Sequence, residues 1–149
     1  MKQIPTEELD NILENTHPDQ TGEYLRHNKK YMTGEKKSFY YYMKDVLSEK
    51  NIRLKDVYTY AGVAESYGSK IIEMEKRTRD RDLIIRLCVA GHFTWDETSR
   101  ALKLYGFSPL YSKEPKDACI IVALNNRIYD VYRINELLTE QGLEPLMRE

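Results

Sequence analysis

The sequence predicts an all-α protein, and three observations carry that reading. Apolar residues recur at helical spacing through most of the chain. No segment alternates apolar and polar residues long enough to make a strand. The C-terminal half contains an internal repeat of helix, turn, helix and Gly-x-x-Pro-Leu. The 149 residues allow one domain of ordinary size. Lys and Arg number 23 against 24 Asp and Glu, so the net charge is −1, and 32% of residues are charged. Hydrophobic residues nonetheless make up 41%, with twelve tyrosines among the aromatics, which is enough to build a core. No apolar run approaches the ~20 residues of a membrane span. No apolar stretch of about 7–15 residues follows Lys2 as a secretory signal would need. Two cysteines make no disulfide framework. The expectation is a soluble, cytoplasmic chain without a membrane partner.

Residues 1–35 read as a helical N-terminal extension. Thr6, with Glu7 and Glu8 behind it, suits a helix start, and Leu9, Ile12 and Leu13 give one short apolar face. His17-Pro18 ends that helix, because a residue before proline avoids the helical region. A second short helix is expected around Glu23–Met32, closed by Gly34.

From Ser38 the pattern strengthens. Phe39, Met43, Val46 and Leu47 form a stripe ending near Lys50-Asn51, and Leu54, Val57, Tyr58 and Ala61 form a second that stops at Gly62. A third runs Val63, Tyr67, Ile71, Met74. Two short helices joined by the glycine-containing turn Ala61-Gly62-Val63-Ala64, with a covering helix before them, make a helix-turn-helix arrangement.

The repeat begins at Arg81. Arg81-Asp82-Leu83-Ile84-Ile85 corresponds to Lys116-Asp117-Ala118-Cys119-Ile120, and Gly106-Phe107-Ser108-Pro109-Leu110 to Gly142-Leu143-Glu144-Pro145-Leu146. In the first copy Thr94 and Glu97 form a capping box, and Trp95, Thr98, Leu102 and Tyr105 form the inner face of the second helix. In the second copy Asp130 is the cap, followed by Val131, Ile134, Leu137 and Leu138. Glycine ends each hairpin in the left-handed conformation and proline blocks its continuation. The organisation expected is an extension over 1–35, a helix-turn-helix domain over 36–110, and a C-terminal hairpin over 111–149 packed on it.

Charge is distributed unevenly: residues 1–35 balance to −3, residues 36–90 to +4, and residues 91–149 to −2. A basic middle between acidic ends is an asymmetry that nucleic-acid binding produces. The run Lys76-Arg77-Thr78-Arg79-Asp80-Arg81-Asp82 reads either as a phosphate clamp or as a loop whose alternating charges pair locally. Phe39-Tyr40-Tyr41-Tyr42 points four rings in four directions, so it cannot be one stacking platform, and packing against the N-terminal segment is expected. Cys88, Cys119 and Trp95 fall on apolar helix faces and read as core. No phosphate-cradling glycine loop or nucleophile motif is present, and His17, His27 and His92 have no ligand spacing. The sequence therefore predicts no enzyme, no cofactor and no metal.

The pieces Met43-x-x-Val46-Leu47-x-x-Lys50-x-Ile52, Leu54-x-x-Val57-x-x-x-Ala61-Gly62-Val63 and Ser66-x-x-Ser69-Lys70-Ile71 resemble the Xre/Cro-type helix-turn-helix family, the lambda-repressor-like domains. Tyr67-Gly68, Arg79-Asp80-Arg81-Asp82, Leu104-Tyr105-Gly106, Pro109-Leu110-Tyr111 and Asn135-Glu136-Leu137-Leu138 extend the likeness, over about residues 6–146, to a subgroup of small bacterial regulators with a C-terminal hairpin repeat. The resemblance implies a transcriptional regulator that binds double-stranded DNA, with the helix from about Glu65 to Met74 in the major groove. It makes Ser66, Tyr67, Ser69 and Lys70 the base readers, and Lys55, Lys76, Arg77, Arg79 and Arg81 the phosphate contacts. A homodimer is expected, because one short reading helix makes a small interface.

A second reading makes the unit a protein-interaction module that does not bind DNA, with its partner held through the C-terminal repeat. Glu65 and Glu73 lie on or beside the reading helix, Gly68 sits in its middle, and the helix offers no Arg, Asn or Gln for bidentate base contacts. A continuous basic strip through Ser69, Lys70, Lys76, Arg77 and Arg79 favours DNA. Interruption by Glu65, Glu73 and Glu75 favours a protein partner.

Overall fold

The structure is a computed structural model that describes residues 6–28 and 37–147. Its helices are α1 (Thr6–Glu14), α2 (Thr21–His27), α3 (Ser38–Lys50), α4 (Leu54–Ala61), α5 (Glu65–Ile72), α6 (Arg81–Ala90), α7 (Trp95–Tyr105), α8 (Pro115–Asn125) and α9 (Val131–Glu140), with a 3-10 turn at Pro18–Gln20. Among the described residues there is no strand, so the fold is all-α. None of these helices is long and apolar enough to cross a membrane.

The N-terminal segment differs from expectation. Of the apolar face of α1, Leu9 is half-buried while Ile12 and Leu13 are exposed. The second helix ends at His27, and the expected continuation to Met32 with its Gly34 stop lies outside the described residues. His17 caps the 3-10 turn, accepting from the Asp19 amide at 3.3 Å. No described residue before Phe39 joins the core cluster, which runs without a break from Phe39 to Leu146.

The stripe of α3 is buried as its spacing predicts, with Phe39, Met43, Val46 and Leu47 all inside. Two rings of its aromatic run pack on the first hairpin. Phe39 meets Tyr105 edge-on at 4.9 Å and Tyr42 meets Phe93 at 6.3 Å. α3 lies against α5 and α7, and α4 against α5 and α6. Lys50 at the end of α3 pairs with Glu97 of the α7 capping box at 2.9 Å.

The two hairpins, α6–α7 and α8–α9, reproduce each other in hydrogen-bond detail. The Phe93 amide donates to the Cys88 carbonyl, and Ile128 donates likewise to Ala123. His92 (φ 59°) and Arg127 (φ 58°) both take the left-handed turn position. Phe107 donates to Leu102 and Leu143 to Leu138, around Gly106 (φ 105°) and Gly142 (φ 71°), conformations that glycine adopts without a Cβ penalty.

The copies then exchange partners. Arg81 donates to both carboxylate oxygens of Asp117 at 3.0 and 2.8 Å, while Lys116 donates to Asp82 at 2.7 Å. Each cation also donates to the proline carbonyl closing its own copy, Arg81 to Pro109 and Lys116 to Pro145. The helices cross in the same reciprocal way, α6 with α9 and α7 with α8. Contacts that run from copy one to copy two and back are the signature of a two-fold relation, since a translational stack makes them in one direction only.

Trp95 departs from expectation: at the first turn of α7 it is 37% exposed, and Ala101 takes its place beside Thr98, Leu102 and Tyr105 on the buried face. Cys88 is buried, and Cys119 is only half-buried.

Candidate nucleic-acid interface

α4 and α5 are joined by the turn Gly62-Val63-Ala64, and the close approach of the two helices depends on Gly68. A Cβ on Gly68 would stand 2.6 Å from Cδ1 and 2.9 Å from Cε1 of Tyr58, distances that carbon atoms do not tolerate. The mid-helix glycine thus costs α5 about 1 kcal/mol of helix propensity but lets the Tyr58 ring come into close contact with the helix. Burial first, then the Glu73 and Glu65 carboxylates, push the Tyr58 phenol up to about 12.

Ile71 and Ile72 are buried with Gly68, which turns the opposite face of α5 outward. Ser66, Tyr67 and Lys70 are exposed there and Ser69 is half-buried, its hydroxyl donating to the Ser66 carbonyl at 3.2 Å. Tyr67 was expected on the inner stripe with Val63 and Ile71, but it is 40% exposed because Gly68 occupies the contact with α4. The helix also stops earlier than its periodicity suggests. Glu73 caps it, Met74 turns left-handed (φ 64°), and the amides of Glu75 and Lys76 close on the Lys70 carbonyl at 2.9 and 3.1 Å.

The basic candidates divide into two groups. Lys55, Lys70, Lys76 and Arg79 are exposed and make no ion pair among the described residues. Arg77 and Arg81 are engaged within the fold. Arg77 lays its guanidinium 4.8 Å from the centre of the Tyr105 ring and donates to the Tyr105 carbonyl at the C-terminal end of α7. The next amide, Thr78, donates to the Tyr105 hydroxyl at 2.7 Å. Arg81 spends four N–H bonds on Asp117, Ser108 and Pro109. Four of its five N–H groups are thus directed to a buried carboxylate and two carbonyls of the fold.

The charged run 76–82 is also not a loop of locally paired charges. Asp80 caps α6 by accepting from the Leu83 amide, and Asp82 pairs across the repeat. Sequence reasoning misses the partners of Arg77, Thr78, Arg81 and Asp82 because they lie 27 to 36 residues away. The repeat alignment is the one signal that could have found the Arg81 and Asp82 pairs.

The remaining candidates are Lys55 at the start of α4, Ser66, Tyr67, Ser69 and Lys70 on α5, and Lys76 and Arg79 beyond it, with exposed Glu65 and Glu75 and half-buried Glu73 among them along the chain. Hydroxyls and ammonium groups at a helix face can meet base edges and phosphates. Among the described residues no cluster of His, Cys, Asp and Glu could hold a metal ion. Comparison of the chain with family models, characterised proteins and solved structures finds no match.

Proposed function

We propose that the protein is a sequence-specific, DNA-binding transcriptional regulator of the Xre type, built on a lambda-repressor-like helix-turn-helix core. The observation that carries the reading is the outward face of α5: Ser66, Tyr67 and Lys70 exposed on a helix that α4 holds from behind. In this reading α5 enters the major groove, and Lys55, Lys76 and Arg79 contact phosphates on either side. Arg77, tied to Tyr105, keeps the turn after α5 in place. Dimerisation supplies the second half-site that so small a reading helix needs. The test is the double variant Lys55→Glu/Lys70→Glu, which changes two exposed side chains. Loss of duplex binding with unchanged helicity and melting supports the face, and retained binding rejects it.

A specific observation favours a second reading. Glu65, Glu73 and Glu75 fall among the basic candidates along the chain, and Arg77 is drawn toward α7, which favours a protein partner over an unbroken basic strip. Under that reading the unit is an interaction module whose partner is a protein. The duplex titration separates the two, since a protein adaptor shows no salt-sensitive DNA binding.

A further inference from the structure

Away from the α5 face, the C-terminal end of α4, the α6–α7 turn and the start of α9 enclose a cleft of about 440 Å³, within the size range of small-ligand sites. Its lining includes four aromatic rings, Tyr60, His92, Tyr129 and Tyr132, with Val131 at the base and Asp130 at the edge. His92 and Tyr129 stack face to face, 4.7 Å between centroids and 11° between planes, which fixes one wall. Tyr60 is 65% exposed and Tyr132 52%, so two large rings stand open to solvent beside it.

We propose that this cleft binds an organic cation carrying an alkylated ammonium group. The chemistry follows from what lines it. Aromatic faces carry negative π density and attract cations, and alkylated ammonium groups lose little hydration on entering such a cage. No lysine or arginine lines the cleft to repel a positive charge. Its one carboxylate, Asp130, uses Oδ1 to cap α9 through the Tyr132 and Arg133 amides and leaves Oδ2 without a hydrogen bond among the described residues. An anionic ligand finds no cationic partner there, and a neutral apolar ligand gains nothing from the carboxylate. Binding at this site does not depend on whether α5 reads DNA.

The experiment is a titration of the full chain with choline, followed by tyrosine ring shifts in NMR, against its neutral isostere 3,3-dimethylbutan-1-ol at matched ionic strength. Choline is expected to saturate and to bind at least about tenfold more tightly than the isostere. Tyr60→Ala and Tyr132→Ala each weaken it by roughly three- to thirtyfold, whereas Tyr60→Phe leaves it unchanged, because the ring face and not the hydroxyl makes the contact. Both tyrosines are exposed, so unchanged melting accompanies these losses. A parallel arm with acetyl-trimethyllysine amide distinguishes sources: tighter binding than choline assigns the site to a methylated protein side chain, and weaker binding to a free small molecule. Absence of saturation by both cations, equal binding of the isostere, or indifference to both alanine variants overturns the proposal.

Discussion

Tyr58 and Gly68 govern how closely α5 can sit on α4, and two predictions belong to this pair. Gly68→Ala adds a methyl 2.6 Å from a ring that is 95% buried and cannot swing away. Helix propensity gains about 1 kcal/mol, but overpacking costs about 1–3 kcal/mol, so a net loss near 1 kcal/mol is expected in urea unfolding. In a Tyr58→Leu background, where the flat ring is gone, the same substitution should be neutral or stabilising. A stabilising Gly68→Ala in the unmodified chain contradicts the close contact. The second prediction concerns pH. The Tyr58 phenol titrates near 10 when unfolded and about 12 when folded, so its contribution is fully present below pH 10 and lost as pH rises through 12. Tyr42, buried and facing Glu97, is shifted in the same direction. Thermal melts between pH 9 and 12 should therefore fall steeply, and less steeply for Tyr58→Phe. Equal slopes would place Tyr58 in solvent.

At the scale of elements, the reciprocal pairs between the hairpins are unequal in their surroundings, and that inequality is measurable. Asp117 is almost fully buried and accepts from Arg81 twice and from the Tyr111 amide, whereas Asp82 and Lys116 are each partly exposed. Removing one partner of a buried pair strands a charge, so Asp117→Ala should cost about 3–5 kcal/mol. Asp82→Ala, screened by solvent, should cost about 1 kcal/mol or less. Near-equal losses in urea unfolding would mean that the pseudo-symmetric pairs are also energetically symmetric, contrary to their burial. Leu102 and Leu138 occupy equivalent, fully buried positions, and Leu→Ala at either should cost about 2–5 kcal/mol. A loss below about 1 kcal/mol at one of them would reject the hairpin packing.

The elements were legible in the sequence to the extent that their signals are local. The capping box at Thr94 and Glu97, the Asp130 cap and the glycine stops at 62, 106 and 142 all stand where short-range chemistry puts them. Trp95 and Tyr67 went astray because a stripe drawn from spacing cannot tell which residue at its edge meets a neighbour. Arg77 and Arg81 read as surface cations because their partners, Tyr105 and Asp117, are remote in sequence. The cleft rings were passed over for the same reason: Tyr60 lies off the α4 stripe, and only the fold gathers it with His92, Tyr129 and Tyr132.

For the molecule as a whole, the exposed cations without an ion pair among the described residues set the scale of the proposed DNA interaction. In the regulator reading, Lys55, Lys70, Lys76 and Arg79 supply three to four phosphate contacts per chain, against a net charge of −1. Affinity of this kind rests on a patch and not on overall charge, so it should be steeply salt-dependent and sensitive to single charge reversals. At about −0.9 per contact, three to four contacts correspond to a slope of roughly −2.7 to −3.6 in log K against log salt for each chain. The most direct measurement is a titration of the purified protein against a fluorescent duplex from its own upstream region at about 50 and 200 mM salt, alongside an unrelated duplex. The regulator reading predicts tight binding to the first duplex, much weaker binding to the second, and a loss of roughly 40- to 150-fold across that salt range per protomer. Absence of binding at the lower salt, or equal binding to both duplexes, would contradict a sequence-specific regulator.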